Sequence, residues 1–364
     1  MEIPKKALEQ ALRAVEPASD RRSWMPALGA VRIEASRGWA RLTCSDLEVT
    51  ATAELEAGVV GEVRALVPVG PFRDAIKGTI GEWVDLEADG EGSLRVGAAS
   101  IRTLPLGDLP AIAPVGRVIA EVDAAEAAEA FRAAAMAASR DERRPVLRGI
   151  LFELEGPRLE LTSTDSYRLH HVAIRRDGWE RWRGTVPARA IELVLKWMGR
   201  RPSGRVQFQV TDADWVALRY GERGIIARLI DGEYPDYRKL EPDPYTDPQW
   251  GRLEVDDMAE LRRIAATADR LTTRQPLVLE LGPTVRARLE GADVAWSEVV
   301  QGAAWKPGAE TPSDLRRVAI NPRYLRDALD AAGGPVFLRD GIKPLYFGSH
   351  DRYALVMPVV IRDR

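Results

Sequence analysis

The residues that most readily suggest chemistry lie in one short segment. Ser163, Asp165 and His170 have the side chains of a hydrolase triad, in which a base activates a serine nucleophile. Members of a triad usually come from separate elements, whereas these three lie on one strand and its turn. Asp46 occupies the same place in an earlier copy of the segment without a nearby histidine. Because an aspartate at a strand end commonly caps a turn, we expect a structural role for Asp165; a hydrolase using Asp165 and His170 stays as an alternative.

Other candidate reactive groups are equally sparse. Glu233 and Asp236 could form paired carboxylates, but Gly232 and Pro235 predict a turn at that point. Cys44 is the only cysteine and the chain has three histidines, which are too few for a zinc or iron–sulfur site at workable spacing. Phosphate-binding glycine loops, HExxH and the nucleophile elbow are absent from the sequence. The sequence therefore predicts no catalytic residue, no metal and no cofactor.

Length and composition describe an ordinary globular chain. Its 364 residues exceed what one core usually organises, which favours two or three domains. With 45% hydrophobic and 29% charged residues it is not disordered, and a net charge of −3 excludes a histone-like polycation. A basic face within a neutral total is still possible. The N-terminus has no apolar signal core and no stretch of 18 apolar residues occurs, so we expect a cytoplasmic protein.

An internal repeat organises the chain. Three landmarks recur at a constant offset of 119 residues: Pro26 and Pro145, Asp46 and Asp165, and Pro68 and Pro187. A fainter third copy contains Pro276 and the segment 319–329. A repeat of this size indicates tandem structural units.

Each copy of the repeat has the same coarse pattern of helix, strands, helix and strands. The predicted helices cover residues 5–15, 71–77, 124–138, 188–198, 258–268 and 323–332, and alternation predicts strands such as 150–155 and 158–162. Candidate linkers are residues 113–116 and the proline-rich segment 241–248, which should lack regular structure. The unit is therefore predicted to be an α+β module.

Four motifs in this order resemble the bacterial DNA polymerase III β subunit, the sliding clamp. They are Arg144–Gly149, Ser163–Leu169, Leu229–Tyr237 and Tyr353–Pro358. The resemblance covers the whole chain, is strongest in the middle third and at the C-terminus, and is weakest from about residue 280 to 318.

The resemblance implies an architecture and a role. Three clamp domains, residues 1–117, 118–244 and 245–364, would form half of a head-to-tail homodimeric ring, with helices lining the inside and antiparallel sheets outside. The ring would be non-catalytic and would encircle duplex DNA without reading its sequence. It would be loaded by an ATP-driven clamp loader and would tether DNA polymerase III α and other proteins that carry a clamp-binding motif.

The resemblance also assigns residues to three surfaces. DNA contacts would come from Arg22, Arg143, Arg189 and Lys196, and the dimer interface from Lys77, Arg102, Glu290, Asp293 and Glu298. A partner peptide would bind a groove between the second and third domains, formed by Leu147, Thr164, Ser166, Tyr167, Arg168, Leu169, Pro235, Lys239, Leu240, Ile342, Pro344, Leu355, Val356, Met357 and Pro358. The segments proposed to line the ring carry net positive charge over residues 5–22, 71–77, 130–144, 187–201 and 261–274, and residues 321–334 are neutral. This sign favours phosphate contact.

Two departures from the family pattern bear on the groove. Ser166 and Tyr167 stand where the family commonly has Gly-His, and Arg362–Arg364 extend the C-terminus. The bulkier Tyr167 predicts a narrower groove with an altered peptide preference. A specialised clamp paralogue, with altered partner or inhibitor binding, is therefore a second interpretation.

Overall fold

The computed structural model describes residues 1–58, 61–89, 92–109, 116–176, 180–211, 214–272, 275–291 and 294–360. It is an α+β structure, as predicted, with antiparallel sheets and six α-helices in these ranges. The chain divides into two compact units, residues 1–128 with 189–229 (unit 1) and residues 129–188 with 230–364 (unit 2). Within the described ranges, no helix is both long and apolar enough to span a membrane.

The helices match the predicted positions closely. They are α1 (Lys5–Val15), α2 (Val69–Gly78), α3 (Ala124–Ala135), α4 (Ala188–Met198), α5 (Met258–Leu271) and α6 (Pro322–Ala331). Helix α1 buries Leu8, Leu12 and Val15, which are spaced to lie on one face. Helix α6 begins one residue before the predicted start, because Pro322 takes the first position and the Asn321 side chain accepts hydrogen bonds from the next two backbone N–H groups.

Unit 1 contains two sheets. The larger has eight strands in the spatial order β5 (Val63–Pro68), β2 (Ala30–Ser36), β3 (Trp39–Ser45), β4 (Val49–Glu56), β16 (Arg223–Arg228), β15 (Trp215–Tyr220), β14 (Arg205–Val210) and β9 (Arg117–Asp123). The smaller has four: β1 (Glu2–Pro4), β6 (Trp83–Ala88), β7 (Ser93–Val96) and β8 (Ala99–Arg102). Strands β4 and β16 pair antiparallel and join two four-stranded halves into the larger sheet.

Unit 2 has a similar arrangement, with one more strand in its larger sheet. Its larger sheet has nine strands in the order β13 (Trp182–Pro187), β10 (Gly149–Glu155), β11 (Arg158–Thr164), β12 (Arg168–Arg175), β25 (Arg352–Val356), β24 (Leu345–Ser349), β23 (Val336–Leu338), β17 (Gly251–Val255) and β21 (Ala303–Lys306). Its smaller sheet has β20 (Ala295–Val299), β19 (Arg286–Glu290), β18 (Leu277–Glu280) and β22 (Arg317–Ile320). Strands β12 and β25 form the junction in this case.

The sheet junctions explain why the chain clusters into two units. Each larger sheet crosses a predicted domain limit, so the strands on both sides of that limit belong to one compact unit. The limits 1–117, 118–244 and 245–364 stay a prediction. Residues 241–248 contain no helix or strand, as predicted, whereas residues 113–115 of the other candidate linker lie outside the described residues.

The 119-residue repeat is visible in the backbone. Leu47 and Ser166, one offset apart, both adopt a positive φ, 78° and 79° respectively. Each follows an aspartate whose Oδ1 accepts two backbone N–H groups: Asp46 from Glu48 and Val49, and Asp165 from Tyr167 and Arg168. The turn-capping role predicted for these aspartates is therefore confirmed.

Candidate partner groove and nucleic-acid interface

The β12–β25 junction in unit 2 brings together the central residues of the predicted groove. Leu169 pairs with Leu355 across the two strands, and Leu355 pairs with Tyr346 on β24. Directly paired residues project from the same face of a sheet, so these three form a row. Leu147, from the 3₁₀ turn Pro145–Arg148, belongs to the same buried cluster.

The floor of this cluster is rich in aromatic rings. Its buried members are Leu147, Leu151, Leu169, Tyr234, Tyr237, Trp250, Phe337, Tyr346, Tyr353 and Leu355. The rings of Tyr346 and Tyr353 stack with centroids 5.5 Å apart, and His171 stacks on Tyr353 at 4.8 Å. The four buried tyrosines are not among the predicted groove residues, although Tyr353 and Leu355 alternate along β25 and therefore share a face.

Apolar side chains with large exposed surfaces belong to the elements that carry the predicted rim. Tyr167 is 61% exposed, Leu240 62%, Ile342 69% and Met357 38%. The N–H of Met357 donates to the Tyr167 carbonyl at 2.8 Å, which ties the end of β25 to the turn before β12. Pro235 and Lys239 are also exposed, whereas Pro344 and Pro358 are half-buried. A buried aromatic floor with an exposed apolar rim is typical of a peptide-binding surface.

Two of the predicted groove residues face the other side of the sheet. The Arg168 guanidinium donates to Asp327 at 2.6 Å and to Asp165 at 3.0 Å, and it lies over the Tyr324 ring at 4.4 Å. Val356 is fully buried in the apolar core that includes α5 and α6. Side chains alternate along a strand, so neither is on the face of Leu169 and Leu355.

The turn before β12 is fixed by polar contacts. Thr164 Oγ1 donates to the Arg168 carbonyl at 2.6 Å and accepts from the Ser166 N–H at 3.1 Å. Ser166 Oγ accepts from Arg144 Nη1 at 2.7 Å. Because φ is positive at Ser166, this position favours glycine, the residue common in the family.

Ser163, Asp165 and His170 do not form a catalytic relay. Ser163 Oγ donates to the Ala134 carbonyl, and His170 Nδ1 lies 2.8 Å from the Ala133 carbonyl. Both side chains are fully buried, and His170 Nε2 has no hydrogen-bond partner among the described residues. Burial lowers the pKa of His170 to about 4, which keeps its ring neutral.

The other candidate chemical groups are also accounted for. Glu233 and Asp236 are exposed, and Asp236 pairs with Lys239 at 3.2 Å. Burial raises the pKa of the Cys44 thiol far above its usual range, so the thiol stays protonated. In the part of the chain that the structure describes, no group of three or more His, Cys, Asp or Glu side chains could hold a metal ion.

All four predicted DNA-contacting cations reach solvent. In unit 1, Arg189 donates to the Pro17 carbonyl at 2.7 Å and pairs with Asp46, and Arg22 and Lys196 are exposed. In unit 2, the Arg143 side chain is 89% exposed and pairs with Asp141 at 3.0 Å. Hydrogen bonds from Arg143 lower the pKa of Asp141 to about 2.

The predicted interface residues that the structure describes lie in or near the two smaller sheets. Lys77 and Arg102 are exposed in unit 1. In unit 2, Glu290 pairs with Arg288 at 2.7 Å and Glu298 pairs with Arg263. Asp293 lies outside the described residues.

Comparison with known proteins identifies the family. A model of the central domain of the DNA polymerase III beta subunit matches residues 121–236. The beta sliding clamp of Micrococcus luteus is 30% identical over 301 residues, covering 81% of this chain and 94% of that protein. The chain belongs to the beta sliding clamp family.

Other members of the sliding clamp family agree. The beta sliding clamp homolog GriR of Streptomyces muensis is 28% identical over 333 residues, 88% of this chain and 82% of that protein. The Bacillus subtilis sliding clamp has a TM-score of 0.87 at 20% identity, and a Pseudomonas aeruginosa clamp bound to griselimycin has 0.84 at 20%; both alignments cover 99% of each chain. These structural matches show the clamp fold.

Proposed function

We propose that the chain is a non-catalytic DNA sliding clamp of the bacterial cytoplasm. Two copies, each with three clamp domains over residues 1–117, 118–244 and 245–364, would close head to tail around duplex DNA. A clamp loader would open and close the ring, since the sequence has no phosphate-binding loop of its own. The ring would tether DNA polymerase III α and other partners through the groove in unit 2.

The sheet topology carries the proposal of a closed ring. Each larger sheet consists of two halves, and each half contains a three-strand meander. The last strands of the two meanders pair with each other: β4 of β2–β4 with β16 of β14–β16, and β12 of β10–β12 with β25 of β23–β25. The two smaller sheets contain the remaining meanders, β6–β8 and β18–β20, and these end at free edges. Pairing β8 of one copy with β20 of another would complete a third sheet of the same type, and applying this pairing twice would close a dimer.

The backbone at both free edges suits such pairing. Thr103 N–H bonds to the Gly92 carbonyl beside the β7–β8 ladder, and Val300 N–H to the Val285 carbonyl beside β19–β20. Hydrogen-bonded and non-bonded pairs alternate along antiparallel ladders, so Ser100 and Ser297 direct their N–H and C=O groups outward. Open edges of this kind are templates for pairing with another chain.

Apolar and oppositely charged side chains assigned to these edges would support the pairing. Ile80 is 98% exposed in unit 1, in the segment where Thr79 lies against Gly97 at the end of β7. Lys77 and Arg102 are basic, while Glu290, Asp293 and Glu298 of the other edge are acidic. Exposed pairs would contribute only about 0–1 kcal/mol each, so the backbone ladder and apolar burial are the main proposed sources of stability.

Arg22, Arg143, Arg189 and Lys196 would make the DNA contacts. Phosphate contacts from lysine and arginine carry no sequence information and weaken with salt. Weak contacts of this type would leave the ring free to slide, and ring closure would provide the persistence on DNA.

The groove would bind an extended partner peptide. A leucine and a phenylalanine buried there would each gain about 1.5–3 kcal/mol. Ordering the peptide on binding costs part of this free energy, so we expect a roughly micromolar dissociation constant. An affinity of this size suits exchange among several partners. The proposed walls are the groove residues named in the sequence analysis except Arg168 and Val356, which face the other side of the sheet. Leu147, Leu169 and Leu355 are at the floor, and Leu240, Ile342 and Met357 are at the rim.

Retention on DNA tests the closed ring. Wild type should scatter light as a dimer of 40.2 kDa chains and, once loaded on nicked circular DNA, should survive a salt wash until the circle is linearised. Ser297→Pro removes an outward N–H and should give a monomer that is not retained, whereas Ser297→Thr keeps the N–H and should behave as wild type. A monomeric wild type, or equal retention on circular and linear DNA, would contradict the proposal.

A further inference from the structure

One tryptophan in unit 1 is almost completely exposed. Trp24, in the loop Ser19–Met25 between α1 and β2, is 89% exposed. A large aromatic ring left in water is unfavourable in the isolated protein, and such a ring is commonly part of a binding surface. Arg21 and Arg22, which precede it in the same loop, are also exposed.

The loop holds Trp24 in a defined position. Asp20 N–H donates to the Leu28 carbonyl at 2.8 Å, and Asp20 Oδ1 accepts from the Arg22 N–H at 2.9 Å. The Met25 N–H donates to Ser23 Oγ at 3.2 Å. A ring presented by a tied loop loses little conformational entropy when it binds a ligand.

The internal repeat provides a direct comparison for this position. The loop's counterpart in unit 2 has the same anchor, Ser139 N–H to the Leu147 carbonyl at 2.8 Å, and also precedes a 3₁₀ turn that starts with proline. At the offset of 119 residues, Trp24 corresponds to Arg143, whose side chain is likewise 89% exposed. One loop therefore presents a guanidinium where the other presents an indole ring.

The surroundings of Trp24 favour a polyanion. An open cavity of about 500 Å³ beside the loop is lined by Arg13, Glu16, Pro17, Ser19, Asp20, Arg21 and Arg22. Glu16 is already paired with Arg21 and with Arg73, the latter at 2.7 Å. Arg13 and Arg22 are both exposed, so their charges can reach the phosphates of a bound strand.

We propose that Trp24 stacks on unpaired bases of DNA while Arg13 and Arg22 contact the neighbouring phosphates. The inference rests on the proposed clamp function and names a further substrate, DNA with a single-stranded stretch, such as a gap or a recessed primer end. Inside a duplex both faces of each base are already stacked, so only an unpaired or terminal base offers a face to the indole ring. Stacking of bases on aromatic side chains beside a basic groove is the general mode of sequence-tolerant single-strand binding.

Binding of labelled DNA to the full chain at low salt tests the inference. Trp24→Ala should weaken binding of single-stranded and gapped oligonucleotides by at least about fivefold and change duplex binding less than twofold. Trp24→Phe, which keeps a stacking ring, should retain most of the affinity. Trp39→Ala, which removes a half-exposed tryptophan elsewhere in unit 1, is the matched control and should have no effect.

A second readout separates stacking from simple loss of affinity. With 2-aminopurine at the unpaired position, wild type and Trp24→Phe should change its fluorescence and Trp24→Ala should not. Equal losses on duplex and single strand, or no loss at all, would overturn the inference. So would a loss confined to binding of a partner protein, which would assign Trp24 to a protein interface.

Failure of this inference can be told apart from failure of the proposed function. Retention of loaded protein on nicked circles depends on ring closure, so Trp24→Ala should be retained as wild type is. If wild type is retained and Trp24 proves irrelevant to unpaired bases, only the inference fails. If wild type is not retained on circles, the clamp function itself fails.

Discussion

The two sheet junctions share a topology but present different surfaces. In unit 1 the central row across the junction is Thr50, Ile226 and Ala217; in unit 2 the corresponding row is Leu169, Leu355 and Tyr346. Both junctions are antiparallel and lie at equivalent places in the repeat. The fold therefore supplies the junction, and the side chains of one row decide whether it has an aromatic floor.

The neighbouring row shows the same contrast. Thr52 pairs with Gly224 in unit 1, where an added Cβ on the glycine would lie 2.9 Å from Thr52 Oγ1. At the equivalent place in unit 2, His171 pairs with Tyr353 and their rings stack. At this row the first junction has small side chains that pack closely. The second junction has stacked rings, and these lie beneath the proposed groove.

The opposite faces of the junctions differ in polarity. Val49 is buried in unit 1, and its counterpart in unit 2 is Arg168, which is buried with Asp327. Replacing Arg168 with Met should destabilise unit 2 by roughly 3–5 kcal/mol, because it leaves a buried carboxylate without its main partner. Urea titration read by hydrogen exchange would report unit 2 separately from unit 1.

Two further variants sharpen this prediction. Arg168→Met combined with Asp327→Leu makes the second junction apolar like the first and should recover most of the loss. Arg175 is on the same strand as Arg168 and forms an exposed ion pair with Asp351. Arg175→Met removes this pair and should change stability by only about 0–1 kcal/mol. If the single variant is as stable as wild type, the ion pair does not hold the second junction together.

Acid should destabilise unit 2 more than unit 1. His170 and His171 belong to unit 2, and burial lowers the pKa of each to about 4. Below about pH 6.5 these two histidines bind protons in the unfolded chain but stay neutral in the folded one. The stability of unit 2 should therefore fall as the pH drops toward 4. The slope should reach about 1.4 kcal/mol per pH unit for each histidine.

Hydrogen exchange between pH 7 and 5 would measure this difference, since unit 1 has no histidine. His170→Asn with His171→Asn keeps short polar side chains and should flatten the pH dependence of unit 2. Equal acid sensitivity of the two units in wild type would assign the effect to carboxylates instead.

Replacing the groove row with the residues of the first junction should weaken peptide binding. Leu169→Thr gives this position the side chain of Thr50. It should weaken binding of a fluorescent, extended peptide of the clamp-binding type, which contains a Gln and a Leu-Phe pair, at least tenfold, or about 1.4 kcal/mol. A chain ending before Met357 should lose as much. Leu47→Ser imports the Ser166 side chain into unit 1 and should leave binding unchanged; a parallel loss there would show that the peptide binds elsewhere.

The smallest expected effect is at the rim. Leu240 is 62% exposed, so Leu240→Ala removes only part of the apolar surface that a peptide could cover. We expect a two- to threefold loss of peptide affinity, about 0.5 kcal/mol, measured by the same titration. A tenfold loss would mean that the rim, and not the floor row, dominates binding.

Local pattern predicted much of this architecture. Periodicity and proline positions predicted α1 and α4 at their observed bounds, and the recurring Asp46 and Asp165 predicted the turns that they cap. These features depend on neighbours in the chain, which a sequence displays directly.

Contacts distant in sequence were not predictable in the same way. Nothing near Arg168 indicates Asp327, and nothing near Leu147 indicates Tyr346, because α6 and β24 meet them only in the folded unit. Family resemblance named the groove residues but could not say that Arg168 and Val356 face away from its floor. That distinction comes from strand register.

Hydrogen exchange of the full chain with saturating partner peptide tests the contrast between the junctions most directly. We expect new protection in β12, β25 and the Tyr237–Leu240 turn, and none in β4 or β16, although both junctions share one topology. Leu169→Thr should remove that protection. Equal protection at both junctions, or protection confined to the first, would contradict the assignment of the partner site to the side chains of the second junction.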